Sequence, residues 1–164
     1  MPGVEIGRCP RAVDLPIGIV RDSACASVYL YGAPALYYEY MLIGLGGDAT
    51  YAVALNKSSG VVLWAYETDS AVTTSVAVDA DGIAFFAAKE GTMYAVDARS
   101  GAASWTTESQ DVRWTVPSLA GGALVVTGTD LKLTAVNLAD GTVRWRHDAA
   151  SYNAAPAVVG NGVV

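Results

Sequence analysis

The sequence predicts an all-β chain of four-stranded antiparallel sheets that recur about every 40 residues. Three observations predict it. An Ala-to-Trp window occurs three times in register. The segments between the windows are rich in Val, Thr, Tyr and Phe and are cut by Gly and Asp-Gly turns. No stretch carries a sustained helical periodicity, so strand-and-turn chemistry accounts for the chain.

The first window runs Ala54-Leu55-Asn56-Lys57-Ser58-Ser59-Gly60-Val61-Val62-Leu63-Trp64. The second runs Ala95-Val96-Asp97-Ala98-Arg99-Ser100-Gly101-Ala102-Ala103-Ser104-Trp105. The third runs Ala135-Val136-Asn137-Leu138-Ala139-Asp140-Gly141-Thr142-Val143-Arg144-Trp145. Ala, Asn or Asp, Gly and Trp hold the same offsets in each, and the period is 41 and then 40 residues. That period fits a β-propeller blade. Gly60, Gly101 and Gly141 permit the positive φ of a tight turn. Asn56, Asp97 and Asn137 can accept backbone amides in the same turn. Ala54, Ala95 and Ala135 leave room for a ring, and Trp64, Trp105 and Trp145 supply it, each with an indole N–H that needs an acceptor when buried.

The blades divide at about 29–69, 70–109 and 110–150, with a partial fourth at 151–164 and a divergent segment at 1–28. In the second blade the expected strands are Val72 to Val78, Ile83 to Ala88, Thr92 to Val96 and Ala102 to Thr107. In the third they are Val112 to Leu119, Ala123 to Thr127, Leu131 to Val136 and Thr142 to His147. The first blade opens with Tyr29 to Tyr38 and Tyr40 to Leu45, and Asn153 to Val159 opens the fourth. Unbroken apolar second strands imply burial on both faces. The alternating Val143, Arg144, Trp145, Arg146 implies an outer strand with one wet face. Three blades and a part form an open arc. Its bare ends favour assembly, and the expectation is a piece of a larger propeller or an arc that assembles.

Formal charge is −6, with charged residues only 16% of the chain. No basic run offers a nucleic acid the clustered Lys and Arg it needs. No apolar stretch reaches the length of a membrane helix. The N-terminus, Met1-Pro2-Gly3-Val4-Glu5, shows no basic start and apolar core of a signal peptide, and no compartment is read from it. Cys9 and Cys25 are not spaced as a CxxC motif; a disulfide between them and two free thiols are both open.

The windows resemble the tryptophan-docking motif of the PQQ-like (quinoprotein alcohol dehydrogenase-like) propeller family, Ala-x-Asp/Asn-x-x-Thr/Ser-Gly-x-x-x-Trp. The resemblance covers about residues 29–164. The third copy departs from it, carrying Asp140 where the others carry Ser59 and Ser100. It implies that Trp64, Trp105 and Trp145 clamp each blade to the next, seated on the motif Ala and Gly residues. It also implies two functional directions. One is a protein-binding or scaffolding module without its own catalysis and with no cofactor, its partners being further blades or other proteins. The alternative is a fragment of a PQQ-dependent dehydrogenase oxidising alcohols or sugars, which would bring PQQ, calcium bound by Glu, Asn and Asp, and an Asp base. No vicinal cysteine pair and no CxxCH occur, and the single His147 falls in an outer strand. A regulatory domain of a larger enzyme is a third reading.

Other features carry competing readings. Asp79-Ala80-Asp81-Gly82 hints at a calcium loop but lacks the ligands and helices of an EF-hand, which leaves a hairpin turn. Asn56-Lys57-Ser58 has the form of a glycosylation sequon inside the docking turn. Trp114, outside the repeat, is a candidate ligand or partner contact, or a packing residue. Tyr37, Tyr38 and Tyr40 could line an interface or alternate across a strand.

Overall fold

The computed structural model describes residues 28–47, 50–108 and 113–149, and among these every regular element is a strand. The first blade holds β1 (Val28–Tyr29), β2 (Ala35–Tyr37), β3 (Tyr40–Gly44), β4 (Gly46–Gly47), β5 (Tyr51–Asn56) and β6 (Val62–Glu67). The second holds β7 (Ala77–Val78), β8 (Ile83–Ala87), β9 (Met93–Asp97) and β10 (Ala103–Thr107). The third holds β11 (Ser118–Ala120), β12 (Ala123–Thr127), β13 (Lys132–Asn137) and β14 (Val143–Asp148). Each blade is an antiparallel meander, in the orders β2-β3-β5-β6, β7-β8-β9-β10 and β11-β12-β13-β14. A small β1–β4 pair extends the first. The three sheets form an open arc of propeller blades. The expected fourth blade, the 1–27 segment, Cys9 and Cys25 lie outside the described residues.

Alternation places the core between blades. On β8, Ala84 and Phe86 face the first blade, where they meet Leu42, Ala52 and Ala54. Phe85 and Ala87 face the third, where they meet Leu124, Val126 and Val136. That two-sided burial is why the second strands read as unbroken apolar runs: all of β12 is buried, and so is β8 after Ile83. The outer β14 is exposed at every position.

The first strands depart from expectation. Val72 to Val78 is not continuous, nor is the described part of the expected Val112 to Leu119 strand, 113–119. Val72 and Trp114 make single bridges to Ala88 and Gly128, and pairing resumes only at β7 and β11. The cause is a side chain in the ladder. The Thr74 hydroxyl accepts the amide of Ala87 at 2.9 Å, and the Thr115 hydroxyl accepts that of Thr127 at 3.1 Å. Each hydroxyl stands in for a backbone carbonyl and lets the strand bend. In the first blade the break between β1 and β2 contains Gly32, whose Cβ position would lie 2.4 Å from the Thr74 carbonyl oxygen. Only a residue without a Cβ permits that approach.

Candidate functional site

The repeated windows build a knob and a socket on every blade. The socket is the turn between the third and fourth strands. In the second blade Asp97 Oδ1 accepts the amides of Arg99 and Ser100 at 3.0 and 2.7 Å, and the Ser100 hydroxyl at 2.8 Å. These bonds hold the Asp97 carboxyl below its usual range, the Ser100 hydroxyl contributing most. Asn56 Oδ1 repeats the pattern with Ser58 and Ser59. The amides of Gly60, Gly101 and Gly141 each bond back to the carbonyl of Asn56, Asp97 and Asn137, and the glycines have φ of 70°, 74° and 73°.

The third copy is wired differently because Asp140 replaces a hydroxyl residue. Asp140 Oδ1 accepts the amide and hydroxyl of Thr142, and Asn137 Oδ1 accepts from Arg144 Nε at 2.8 Å. Arg144 therefore donates to Asn137 Oδ1 as the Ser59 and Ser100 hydroxyls donate to Asn56 Oδ1 and Asp97 Oδ1.

The knob is the tryptophan. Trp64, Trp105 and Trp145 stand opposite Ala54, Ala95 and Ala135 in register. In each blade the register shifts just before the tryptophan, so Leu63, Ser104 and Arg144 are extra residues on the outer strand. Such a bulge re-aims the side chains beside it. Two of the rings reach the next blade's socket. Trp64 Nε1 donates to the Ala98 carbonyl at 3.0 Å, and a Cβ on Gly101 would lie 2.8 Å from the ring. Trp105 Nε1 donates to the Leu138 carbonyl at 2.7 Å, and a Cβ on Gly141 would lie 2.6 Å from the ring. Each ring thus has its own blade's alanine across the strand and the following blade's glycine under its face. Gly60, expected among the seats, has nothing within 4 Å of its Cβ position among the described residues. Trp145 is 38% exposed.

Other contacts reinforce the seams. Trp114 is only 6% exposed, and its Nε1 donates to the Gly91 carbonyl of the second blade at 2.8 Å. Its indole is thus engaged in packing between the second and third blades. Tyr37 and Tyr38 pack edge to face, and Arg99 lies over Tyr37 while donating to its hydroxyl at 2.8 Å. Tyr40 packs partly buried against the core, whereas Tyr38, at φ 50°, points out on the β2–β3 turn. The chain between the first two blades is pinned by Asp69, which accepts from Ser70 and Thr92 and whose amide donates to the Tyr94 hydroxyl at 3.0 Å. Burial pushes the Tyr94 hydroxyl up to about 12, with the Asp69 charge adding to the rise. Burial would raise Asp69 too, but the hydrogen bonds from Thr92, Ser70 and Tyr94 outweigh it and its carboxyl sits below the usual value.

An open cleft of about 490 Å³ lies along the inner strands, lined by Tyr31, Thr73, Lys89, Arg113 and Trp114 among others. Its charged lining residues are the two cations, with no carboxylate. Among the described residues no three His, Cys, Asp or Glu converge as a metal site. The described lining of the cleft thus offers a calcium ion no carboxylate. Asp79 Oδ1 accepts the amides of Asp81 and Ile83, so Asp79-Ala80-Asp81-Gly82 is a hairpin turn. His147 lies on exposed β14. No helix among the described residues is long and apolar enough to cross a membrane.

The fold is similar to that of known proteins. BamB from Moraxella catarrhalis superposes with a TM-score of 0.62 at 19% identity, over 75% of this chain and 37% of that one. The computationally designed Ika4 protein gives 0.64 at 17% identity, over 74% of this chain and 73% of that one. The quinohemoprotein alcohol dehydrogenase from Comamonas testosteroni gives 0.59 at 18% identity, over 73% of this chain and 21% of that one. This chain thus spans well under half the length of the BamB and dehydrogenase chains, and at these identities the likeness concerns the fold. No curated protein sequence matches it. A family model described as outer membrane protein assembly factor BamB matches residues 42–164. The chain belongs to that family of PQQ-like β-propeller repeats.

Proposed function

We propose that this chain is a protein-binding or scaffolding segment without catalysis of its own. The observation that carries the reading is the exposed segment 29–38 of the first blade. Tyr29, Leu30, Tyr31, Leu36 and Tyr38 are all more than half exposed there, Leu36 at 66% and Tyr38 at 69%. Soluble chains seldom leave so many large apolar and aromatic side chains in water on one short segment, and such residues are enriched where proteins meet. The family description, an assembly factor, supports the same reading.

A photo-crosslinking residue placed at Tyr38 in the source cells tests the reading. A discrete protein adduct that disappears when Leu36 and Tyr31 are changed to Ser is the expected result. Quinone-dependent dye reduction by the purified chain, given PQQ, calcium and an alcohol or aldose, would overturn it.

A further inference from the structure

We propose that the protein docked on segment 29–38 places an acidic side chain in the cleft along the inner strands, between Lys89 and Arg113. The inference rests on the scaffold reading and adds to it the chemistry of the partner. Two observations carry it: the charge of the cleft and its continuity with the exposed segment.

Lys89 lies on the turn between β8 and β9, and Arg113 directly precedes Trp114 in the third blade. Both line the cleft, and both are exposed. Their backbones are held in place. The Lys89 amide donates to the Ala71 carbonyl at 2.8 Å, and the Arg113 carbonyl accepts the Thr129 amide at 3.1 Å. The Trp114 indole bonds Gly91, on the same turn as Lys89, and so ties the two cation-bearing segments together across the seam. Among the described residues neither side chain has a carboxylate partner; the ion pair formed there joins Lys132 to Asp148. Glu90 follows Lys89 but does not line the cleft. In a chain of formal charge −6, two cations thus share one hollow whose described lining has no anion. They repel each other, and a carboxylate set between them relieves that repulsion. It takes charge-assisted hydrogen bonds from both, in forked form from Arg113.

Tyr31 supplies the continuity. It is 57% exposed within the segment, and it also lines the cleft. Its ring packs on Gly46, where a Cβ would lie 2.5 Å from it. A partner covering Tyr31 therefore already stands at the cleft. Aromatic side chains beside an Arg are the composition that protein interfaces favour. An open cleft next to them suits a side chain delivered by a docked protein.

Photo-crosslinking residues at Tyr38, outside the cleft, and at Thr73, in its lining, are expressed in turn in the source cells. Both should capture the same protein, and the site captured from Thr73 should map beside an Asp or Glu. Lys89→Glu with Arg113→Glu should cut the Tyr38 adduct at least about ten-fold. Lys89→Arg with Arg113→Lys keeps both charges and should retain most of it. Changing the mapped carboxylate to Lys should restore the adduct of the charge-reversed chain, which also shows that chain to be folded. No adduct from Tyr38 in the otherwise unaltered chain overturns the scaffold reading and this inference together. A Tyr38 adduct undiminished by charge reversal overturns this inference alone, as does a Thr73 capture site with no Asp or Glu beside it.

Discussion

Alanine placed at the three motif glycines separates backbone strain from contact across the seam. Gly60, Gly101 and Gly141 share φ near 70°, so the strain of an L-residue is the same at each, about 1 kcal/mol. They differ in what a Cβ would meet. At Gly60 it meets nothing among the described residues; at Gly101 and Gly141 it lies 2.8 and 2.6 Å from an indole. Ordinary carbon contacts lie near 3.5–4.0 Å, so each ring must retreat by about 1 Å from a carbonyl it now bonds. Overpacking of that kind costs roughly 1–3 kcal/mol. Gly60→Ala should therefore cost about 1 kcal/mol, and Gly101→Ala and Gly141→Ala about 2–4 kcal/mol. Urea unfolding followed by far-UV circular dichroism, on dilute protein, reads the difference as a shift in midpoint at constant slope. Equal losses at all three positions would mean that the tryptophans do not dock on the following blade, and the seam described above would be wrong.

Trp105→Ala removes a half-buried ring and its bond to Leu138 and should cost roughly 3 kcal/mol by the same assay; a loss below about 1 kcal/mol would refute its role as a clamp. Thr134 is fully buried with its hydroxyl unpartnered among the described residues, so Thr134→Val should raise stability by about 1 kcal/mol, and a clear loss would show that the hydroxyl has a partner. Tyr94 holds its proton more tightly folded than unfolded, so its contribution is full below pH 10.0 and fades as pH rises toward about 12. Tyr94→Phe should flatten that alkaline loss in a pH series of unfolding midpoints, and an unchanged slope would refute the assignment. Asp69 and Asp97 are held below 3.8, so their contribution is full above that pH and is lost as pH falls beneath it; Asp97→Asn should blunt the acid loss.

What the sequence disclosed was whatever repeats. The period announced four-stranded antiparallel sheets, and the apolar second strands marked the two-sided core, because burial leaves a composition that can be read residue by residue. The breaks in the first strands were hidden. Thr74 and Thr115 look like ordinary strand residues until their hydroxyls are seen to take ladder amides. The bulge before each tryptophan was hidden for a related reason: an extra residue on one strand is invisible without its partner. Trp114 carried too little pattern to choose between ligand contact and packing. Its acceptor, Gly91, lies in another blade, and no spacing announces a contact between different repeats.

The seams have a direction, and that direction shapes how the fold is held together. Each blade gives a ring to the blade after it and takes one from the blade before. The second blade does both, through Trp105 and Gly101, and it is also the blade whose two faces meet described cores on either side. Among the described residues the two seams run from the first blade to the second and from the second to the third. In such a quasi-one-dimensional stack, stability is the sum of each blade's own worth and its seams. Amide exchange should therefore be slowest in β8 and β9, and β14 should open first. Trp145→Ala should speed exchange in β13 and β14 and leave β8 nearly unchanged. A ring held only by contacts within its own blade would not produce that gradient.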